Sequence, residues 1–91
     1  MSTQEQVLEE VSFETKESKN NEIVLYNDEV NTFDHVINCL IRYCEHTLEQ
    51  AEQCAWITHY KGKCQVLTGD LDDLKVKAEL MGDVGLTVEV Q

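Results

Sequence analysis

The segment Asn27-Asp28-Glu29 places an amide and two carboxylates side by side, between an apolar run and a pattern of helical type. Loops that bind phosphate at the start of a helix use glycines and basic residues. Residues 27–32 contain no Gly, Lys or Arg and offer lone pairs instead. Such a loop suits a cation with several N–H donors, such as a free amine. From spacing alone, the same residues favour a structural role, in which Asp28, Glu29 and Asn31 cap the first helix and complement its positive end.

His59 is the second residue that could take part in chemistry. It lies near the end of the second predicted helix, in His59-Tyr60-Lys61-Gly62-Lys63. A histidine there is commonly a surface residue that is favoured at a helix C-terminus. Alternatively, its imidazole faces the first loop across the end of the two-helix unit. The spacing of the residues is compatible with both interpretations.

The four cysteines do not have the spacing of a metal site or a catalytic site. Cys39 and Cys44 are five residues apart, as are Cys54 and His59, which on a helix leaves their side chains about 140° apart. Thiolate zinc sites use paired C-x-x-C spacing, and catalytic cysteines usually sit at the start of a helix. We therefore expect no metal, no cofactor and no enzymatic activity, with the cysteines as thiols at or near the core.

The charge of the chain excludes several classes of partner. Its 91 residues carry 18 acidic and 7 basic side chains, for a formal net charge of −11. Nucleic acids and acidic membranes would be repelled, whereas amine-bearing partners are favoured. There is no signal-peptide pattern and no apolar run of about 20 residues that could span a bilayer. A cytoplasmic location is expected.

The elements that must position these residues follow from periodicity. Apolar runs predict strands over residues 23–26, 64–68 and 86–90. Helical spacing predicts one helix over residues 33–44 with Asn31 or Thr32 as its N-cap, and another from Thr47 to a stop at Gly62. A third is capped by Asp70 and stopped by Gly82. The inner surface of the second helix is predicted to be Leu48, Ala51, Cys54, Ala55 and Ile57.

The order β-α-α-β-α-β predicts an α+β fold. We expect a two-layer sandwich, in which a three-stranded antiparallel sheet carries three helices on one face. Residues 1–21 contain five Glu and two Lys without a sustained period, and they are predicted to form a flexible acidic arm. Residues 22–91 are predicted to form the core domain.

The chain resembles the ATP-dependent Clp protease adaptor family, ClpS. The family signature is an Asn-Asp-Asp loop followed, about thirty residues later, by His-x-x-Gly-Lys, and it corresponds here to Asn27-Asp28-Glu29 and His59-Tyr60-Lys61-Gly62-Lys63. The resemblance covers residues 22–91. Glu29 stands where Asp is commoner in the family, and Phe33 and Ala55 stand where Met is frequent.

The resemblance implies a function and a set of site residues. Members of the family bind substrates with N-terminal Leu, Phe, Tyr or Trp and deliver them to the N-terminal domain of a Clp AAA+ unfoldase. The amine-binding residues would be Asn27, Asp28, Glu29 and His59. The hydrophobic pocket would be formed by Asn31, Phe33, Val36, Ala55, Thr58 and Leu86. Asp70 and Lys75 would contact the unfoldase.

Two rival functions stay open on the residues alone. One is a domain of the same fold that docks an ATPase without reading N-termini, in which case Asn27 and His59 would have no binding role. The other is a cysteine-dependent enzyme, which would be sensitive to thiol alkylation.

Overall fold

The structure of the protein, a computed structural model, describes residues 21–91. Its elements in chain order are β1 (Asn21–Tyr26), α1 (Phe33–Cys44), α2 (Leu48–Lys61), β2 (Lys63–Gly69), α3 (Leu71–Asp83) and β3 (Val88–Val90). The predicted β-α-α-β-α-β order is confirmed. Strand β1 begins at Asn21, the last residue assigned to the arm, and residues 1–20 of the predicted arm lie outside the described residues.

The sheet is antiparallel, with strand order β2-β1-β3. The apolar strand β1 lies in the middle of the sheet, and its central residues Ile23, Val24 and Leu25 are no more than 5% exposed. At the centre of the sheet, Leu25 pairs with Cys64 on one side and Val88 on the other. The register with β2 shifts between Ile23 and Val24, where Val66 is the extra residue on the partner strand.

One core joins the sheet to the helices. Its largest fully buried side chains come from β1, α1 and α3, and they are Ile23, Leu25, Leu40, Leu74 and Met81. Helix α2 presents small residues to this core, since Ala51 and Ala55 are buried and lie one helical turn apart. Because these side chains are small, the backbone of α2 can lie close to the core.

The predicted helix boundaries are mostly confirmed. Thr32 is the N-cap of α1 and accepts a hydrogen bond from the His35 N–H at 3.1 Å. Thr47 and Gln50 form the predicted capping box of α2, and Gly62 ends that helix with a φ of 95°. Gly62 suits this position because a left-handed conformation carries a steric cost for residues with a Cβ.

The stop predicted at Gly82 is wrong. Helix α3 continues through Gly82 to Asp83, and the left-handed residue is Gly85, with a φ of 98°. The Leu86 N–H then donates to the Met81 carbonyl at 3.0 Å, which reverses the chain. This turn delays strand β3 to Val88, two residues later than predicted.

Some residues predicted to face inward are exposed. Leu48 is 58% exposed and Ile57 is 41% exposed, so the predicted inner surface of α2 is wrong at both positions. Ile57 is two residues after the buried Ala55, which puts it about 200° around the helix. Cys39 and Cys44 are buried, whereas Cys54 and Cys64 are only partly buried.

Candidate functional site

A hollow of about 440 Å³ opens where the β1–α1 loop meets the second half of α2. We call it the loop hollow. It brings together all ten residues predicted for the amine-binding group and the hydrophobic pocket, together with Leu25 and Tyr26. Its lining is Leu25, Tyr26, Asn27, Asp28, Glu29, Asn31, Phe33, Val36, Ala55, Thr58, His59 and Leu86. Convergence of residues from four separate parts of the chain makes this hollow the candidate site.

Asp28 holds the loop in shape. One carboxylate oxygen accepts from the backbone N–H groups of Val30 and Asn31, at 2.9 and 3.0 Å. The other accepts from the Asn31 amide at 2.8 Å and from the Thr87 hydroxyl at 3.0 Å. Both oxygens therefore carry two internal hydrogen bonds each, and no acceptor position is left for a ligand.

These hydrogen bonds also stabilise the charged form of Asp28. Burial acts to raise the pKa of the Asp28 carboxyl group, but the donors of Asn31, Val30 and Thr87 outweigh it and hold that pKa below its ordinary value of 3.8. The carboxylate is thus ionised throughout the neutral range. Asp28 therefore positions the loop, and its part in amine binding stays a prediction.

Asn31 connects the loop to the turn after α3. Its amide group donates to Asp28 and also to the Gly85 carbonyl, both at 2.8 Å. Because Thr87 also bonds to Asp28, the residues on both sides of Leu86 are tied to the loop. Leu86 is 5% exposed and forms part of the wall of the hollow. This network explains how a residue close to the chain end reaches the site.

The two halves of the sequence signature are joined through the backbone. The Asn27 N–H donates to the Gly62 carbonyl at 2.9 Å, immediately after strand β1 pairs Tyr26 with Lys63. His59 lies one turn before Gly62 on α2, so the end of that helix is held against the loop. This contact places His59 beside Asn27 and Glu29 in the lining of one hollow.

Three polar side chains of the hollow are left without hydrogen-bond partners in the described part of the chain. Within residues 21–91, the side chains of Asn27, Glu29 and His59 make no hydrogen bond to another side chain or to the backbone, and all three residues are exposed. They offer an amide oxygen, a carboxylate and an imidazole nitrogen. Such a set can accept hydrogen bonds from a positively charged amine.

The remaining wall is apolar. Leu25, Ala55 and Leu86 are buried, and Val36 is partly buried against the core. Thr58 is also buried, and its hydroxyl donates to the Cys54 carbonyl at 2.7 Å, so that its polar group is already satisfied. The hollow therefore combines hydrogen-bond acceptors at its mouth with an apolar interior.

Two aromatic residues that were not predicted from the sequence lie beside the hollow. Trp56 and Tyr60 stack with ring centroids 5.1 Å apart and an interplanar angle of 6°. The Trp56 ring is also nearly perpendicular to that of Phe33, with centroids 4.8 Å apart, and Phe33 belongs to the lining of the hollow. Their i, i+4 spacing on a helix was the signal that could have identified the pair.

Cys44 and Cys54 are poor candidates for nucleophiles. Burial raises the pKa of Cys44 to about 11. Burial also raises that of Cys54 to about 12, with a further contribution from its hydrogen bond with Cys64. Thiols with such values carry almost no thiolate at neutral pH. In the part of the chain that the structure describes, no group of three or more His, Cys, Asp or Glu residues is arranged to hold a metal ion.

Asp70 and Lys75, predicted to contact an unfoldase, lie away from the lining of the loop hollow. Asp70 is the N-cap of α3 but makes no side-chain capping hydrogen bond, and Lys75 lies five residues further along. Both residues are exposed. Among residues 21–91, no helix is long and apolar enough to cross a membrane.

The fold and the loop hollow together define a small α+β binding domain. A family model described as ATP-dependent Clp protease adaptor protein ClpS matches residues 16–89. The chain therefore belongs to the ClpS family of Clp protease adaptors.

Curated relatives and a solved structure agree with this family. The chain is 31% identical to the ATP-dependent Clp protease adapter protein ClpS of Thermosynechococcus vestitus, over 80% of this chain and 79% of the relative. It is 32% identical to the ClpS of a Nostoc species, over 97% of this chain and 94% of the relative. Its fold matches the structure of Agrobacterium tumefaciens ClpS2 bound to L-phenylalaninamide, with a TM-score of 0.75 and 18% identity, covering 78% of this chain and 93% of that one.

Proposed function

We propose that the protein is an adaptor that binds substrates through a large hydrophobic N-terminal residue and delivers them to a Clp AAA+ unfoldase. The observation that carries the proposal is the loop hollow, where three acceptor side chains with no hydrogen-bond partner among residues 21–91 stand at the mouth of an apolar interior. The N-terminal residue of a polypeptide has the matching chemistry, since its charged amine is attached directly to the carbon that bears its side chain.

The amine is assigned to Asn27, Glu29 and His59. An α-amino group has a reference pKa of about 7.7–8.0, so at pH 7 it is mostly an ammonium with three donors. A carboxylate, an amide oxygen and a neutral imidazole nitrogen would accept one hydrogen bond each. Charge-assisted hydrogen bonds contribute about 1.5–3 kcal/mol each, which is enough to discriminate a free amine from a blocked one.

The side chain of the N-terminal residue is assigned to the apolar interior. Its walls are Phe33, Val36, Ala55, Thr58 and Leu86, with Asn31 at the edge. Burial of a Leu or Phe side chain contributes about 1.5–3 kcal/mol. Together with the amine contacts, and after the ordering costs of association, a micromolar affinity of about −8 kcal/mol is expected.

The solved relative supports this assignment. Agrobacterium tumefaciens ClpS2 was determined with L-phenylalaninamide, which carries a free α-amine next to an aromatic side chain. Both groups have a counterpart in the loop hollow. By analogy, substrates with N-terminal Leu, Phe, Tyr or Trp are proposed for this protein.

Delivery is assigned to the exposed start of α3. Asp70 and Lys75 are proposed to contact the N-terminal domain of the unfoldase, because they are exposed and lie outside the loop hollow. Bound substrate would therefore leave this surface accessible. A cytoplasmic location stays a prediction of the sequence.

The amine assignment is tested with fluorescent peptides that begin with Phe, Leu, Tyr or Trp, each with a free or an acetylated N-terminus. We expect micromolar binding of the free peptides in fluorescence anisotropy and at least a tenfold loss on acetylation. Equal binding of the two forms would refute the reading of N-termini and favour a domain that only docks an ATPase.

The docking assignment is tested separately with Asp70→Ala and Lys75→Ala. Both variants should lose affinity for the purified N-terminal domain of a Clp unfoldase while keeping their affinity for Phe-peptides. Full retention of unfoldase binding by both variants would move the docking surface elsewhere.

A further inference from the structure

The stacked pair Trp56 and Tyr60 is an exposed aromatic surface that the proposed function leaves unused. Trp56 is 48% exposed and Tyr60 is 72% exposed. The parallel stacking covers one face of each ring, and both rings lie at the surface of α2. Large exposed aromatic side chains next to a ligand-binding hollow commonly mark an additional contact area.

This surface is continuous with the loop hollow. The rings of Phe33 and His59, which belong to the lining of the hollow, are nearly perpendicular to that of Trp56, with centroids 4.8 and 6.3 Å from it. Consecutive Cα atoms of an extended peptide are 3.8 Å apart. A peptide whose amine is held by His59 therefore has its second and third residues within reach of Trp56.

On its other side, Trp56 borders a second depression of about 630 Å³, which we call the outer groove. It is lined by Glu49, Glu52, Gln53, Trp56 and Ile57. Residues 49, 52 or 53, and 56 recur at helical spacing, so the carboxylates and the indole share one face of α2. The outer groove is thus acidic along one end and aromatic at the other.

The carboxylates of the outer groove are available to a cation. Within residues 21–91, Lys77 forms an ion pair with Glu45, and neither Glu49 nor Glu52 forms one. Lys61 is five residues after Trp56, which puts it about 140° around the helix from the indole. The charge next to Trp56 is therefore negative, in keeping with the net charge of −11.

We propose that Trp56 and the outer groove form a second subsite, which receives the side chain of one of the two residues that follow the N-terminal residue and prefers arginine there. The inference rests on the proposed function, because the peptide must first be anchored by its amine. A guanidinium is planar, so it stacks on the indole face while its N–H groups reach the carboxylates. An ammonium has the same charge but no planar face to stack.

The test compares Arg, Lys and Ser at the second or the third position of an otherwise identical peptide that begins with Phe. Lysine controls for the general attraction of a cation to an acidic protein. In anisotropy titrations at 0.15 M salt, we expect Arg at one of the two positions to bind about threefold tighter than Lys at the same position, from stacking alone. Arg and Lys should both bind tighter than Ser.

Variants separate stacking from charge. Trp56→Ala should bring the Arg-to-Lys affinity ratio to one, and Trp56→Phe should retain part of it. Glu52→Gln should weaken both cationic peptides relative to Ser. Leu80→Ala, at a residue on α3 with a similar exposure of 44%, should leave all ratios unchanged. Because each readout is a ratio within one variant, a change in baseline affinity does not affect it.

Two outcomes separate this inference from the proposed function. If no free-amine peptide binds, both are overturned. If Phe-Ser peptides bind but Arg has no advantage over Lys at either position, or keeps its advantage in Trp56→Ala, then the subsite is overturned and the proposed function stands. A tighter complex with an aromatic residue than with Arg at the same position would also overturn the preference for a cation.

Discussion

The loop hollow and a second hollow, which we call the β2 hollow, are nearly equal in volume, at about 440 and about 460 Å³. Helix α2 lines both of them. The loop hollow is lined by its second half, and the β2 hollow by its first half together with the end of α1 and strand β2. The lining of the β2 hollow is Cys44, Glu45, His46, Gln50, Gln53, Cys54, Gln65, Val66, Leu67 and Thr68.

The two hollows differ in which polar groups lack hydrogen-bond partners and in what surrounds those groups. In the β2 hollow, one nitrogen of the His46 imidazole is bonded to the Val66 carbonyl at 2.7 Å, and the Gln50 amide oxygen accepts from the Thr47 N–H at 2.9 Å. The other imidazole nitrogen, Nδ1, is buried and has no partner among residues 21–91. In the loop hollow, Asp28 and Asn31 are bonded within the fold, whereas the side chains of Asn27, Glu29 and His59 are exposed and make no hydrogen bond within the described residues. Volume alone therefore does not distinguish a binding site, whereas several exposed acceptors grouped beside an apolar wall do.

The sharpest way to break this comparison is to remove an unused acceptor. His59→Ala should weaken the binding of Phe-peptides by about 10- to 100-fold, which corresponds to the loss of one charge-assisted hydrogen bond of about 1.5–3 kcal/mol. Anisotropy titration measures the effect. The matched control is Gln65→Ala in the β2 hollow, which should bind peptides as the parent does. Equal losses in the two variants would contradict the distinction between the hollows.

A second prediction concerns an acceptor that the fold does use. Asp28→Asn replaces a charged oxygen that receives two hydrogen bonds, and we expect it to lower the free energy of unfolding by about 1–3 kcal/mol at pH 7. Urea denaturation measures this difference. Glu29→Gln is the control, since Glu29 has no hydrogen-bond partner within residues 21–91, and its unfolding free energy should change by less than about 0.5 kcal/mol.

The pH dependence of stability in Asp28→Asn tests whether Asp28 acts in its charged form. The pKa of Asp28 is lower in the folded protein than its ordinary value of 3.8. Ionised Asp28 therefore contributes stability that is complete above about pH 4 and is lost as pH falls through the lowered pKa. The gap between the parent and Asp28→Asn should narrow below about pH 4. A constant gap between pH 7 and pH 3 would contradict the charged network.

The smallest expected effect lies in the β2 hollow. Gln50→Ala removes one half of the capping box of α2 and should lower the free energy of unfolding by about 0.5–1 kcal/mol. Its affinity for Phe-peptides should not change, because Gln50 lies outside the lining of the loop hollow. A loss of peptide binding without a loss of stability would give the β2 hollow a role in recognition.

Much of the fold was predictable because its signals are local. The capping box at Thr47 and Gln50, the left-handed stop at Gly62 and the apolar run of β1 each depend on a few neighbouring residues. The errors arose where tertiary packing decides. The helical period could not show that α2 faces inward through Ala51, Cys54, Ala55 and Thr58 while Leu48 and Ile57 are exposed. The stop of α3 was misplaced because Gly85, and not Gly82, takes the left-handed conformation.

The candidate site was likewise predictable in part from local residue types and in part only from the tertiary structure. The residue types of the loop and its likeness to a family signature pointed to Asn27, Glu29 and His59, but neither excluded a purely structural use of these side chains. The structure separates the two uses, because Asp28 and Asn31 form the network that holds the loop while the other three have no hydrogen-bond partner among the described residues. The aromatic pair Trp56 and Tyr60 was missed because spacing shows that two rings can stack but not which ring they stand beside.

By itself, the sequence determined the order of the helices and strands, the caps of α1 and α2, that the loop after β1 is rich in acceptors, and that the protein is strongly acidic. These are properties of residue type and of separations of a few positions along the chain. Only the tertiary structure decided which acceptors remain unused and that Leu86, Asn27 and His59 border one cavity. The reason is that hydrogen bonds between residues more than fifty positions apart, such as the one from Thr87 to Asp28, depend on how the whole chain packs.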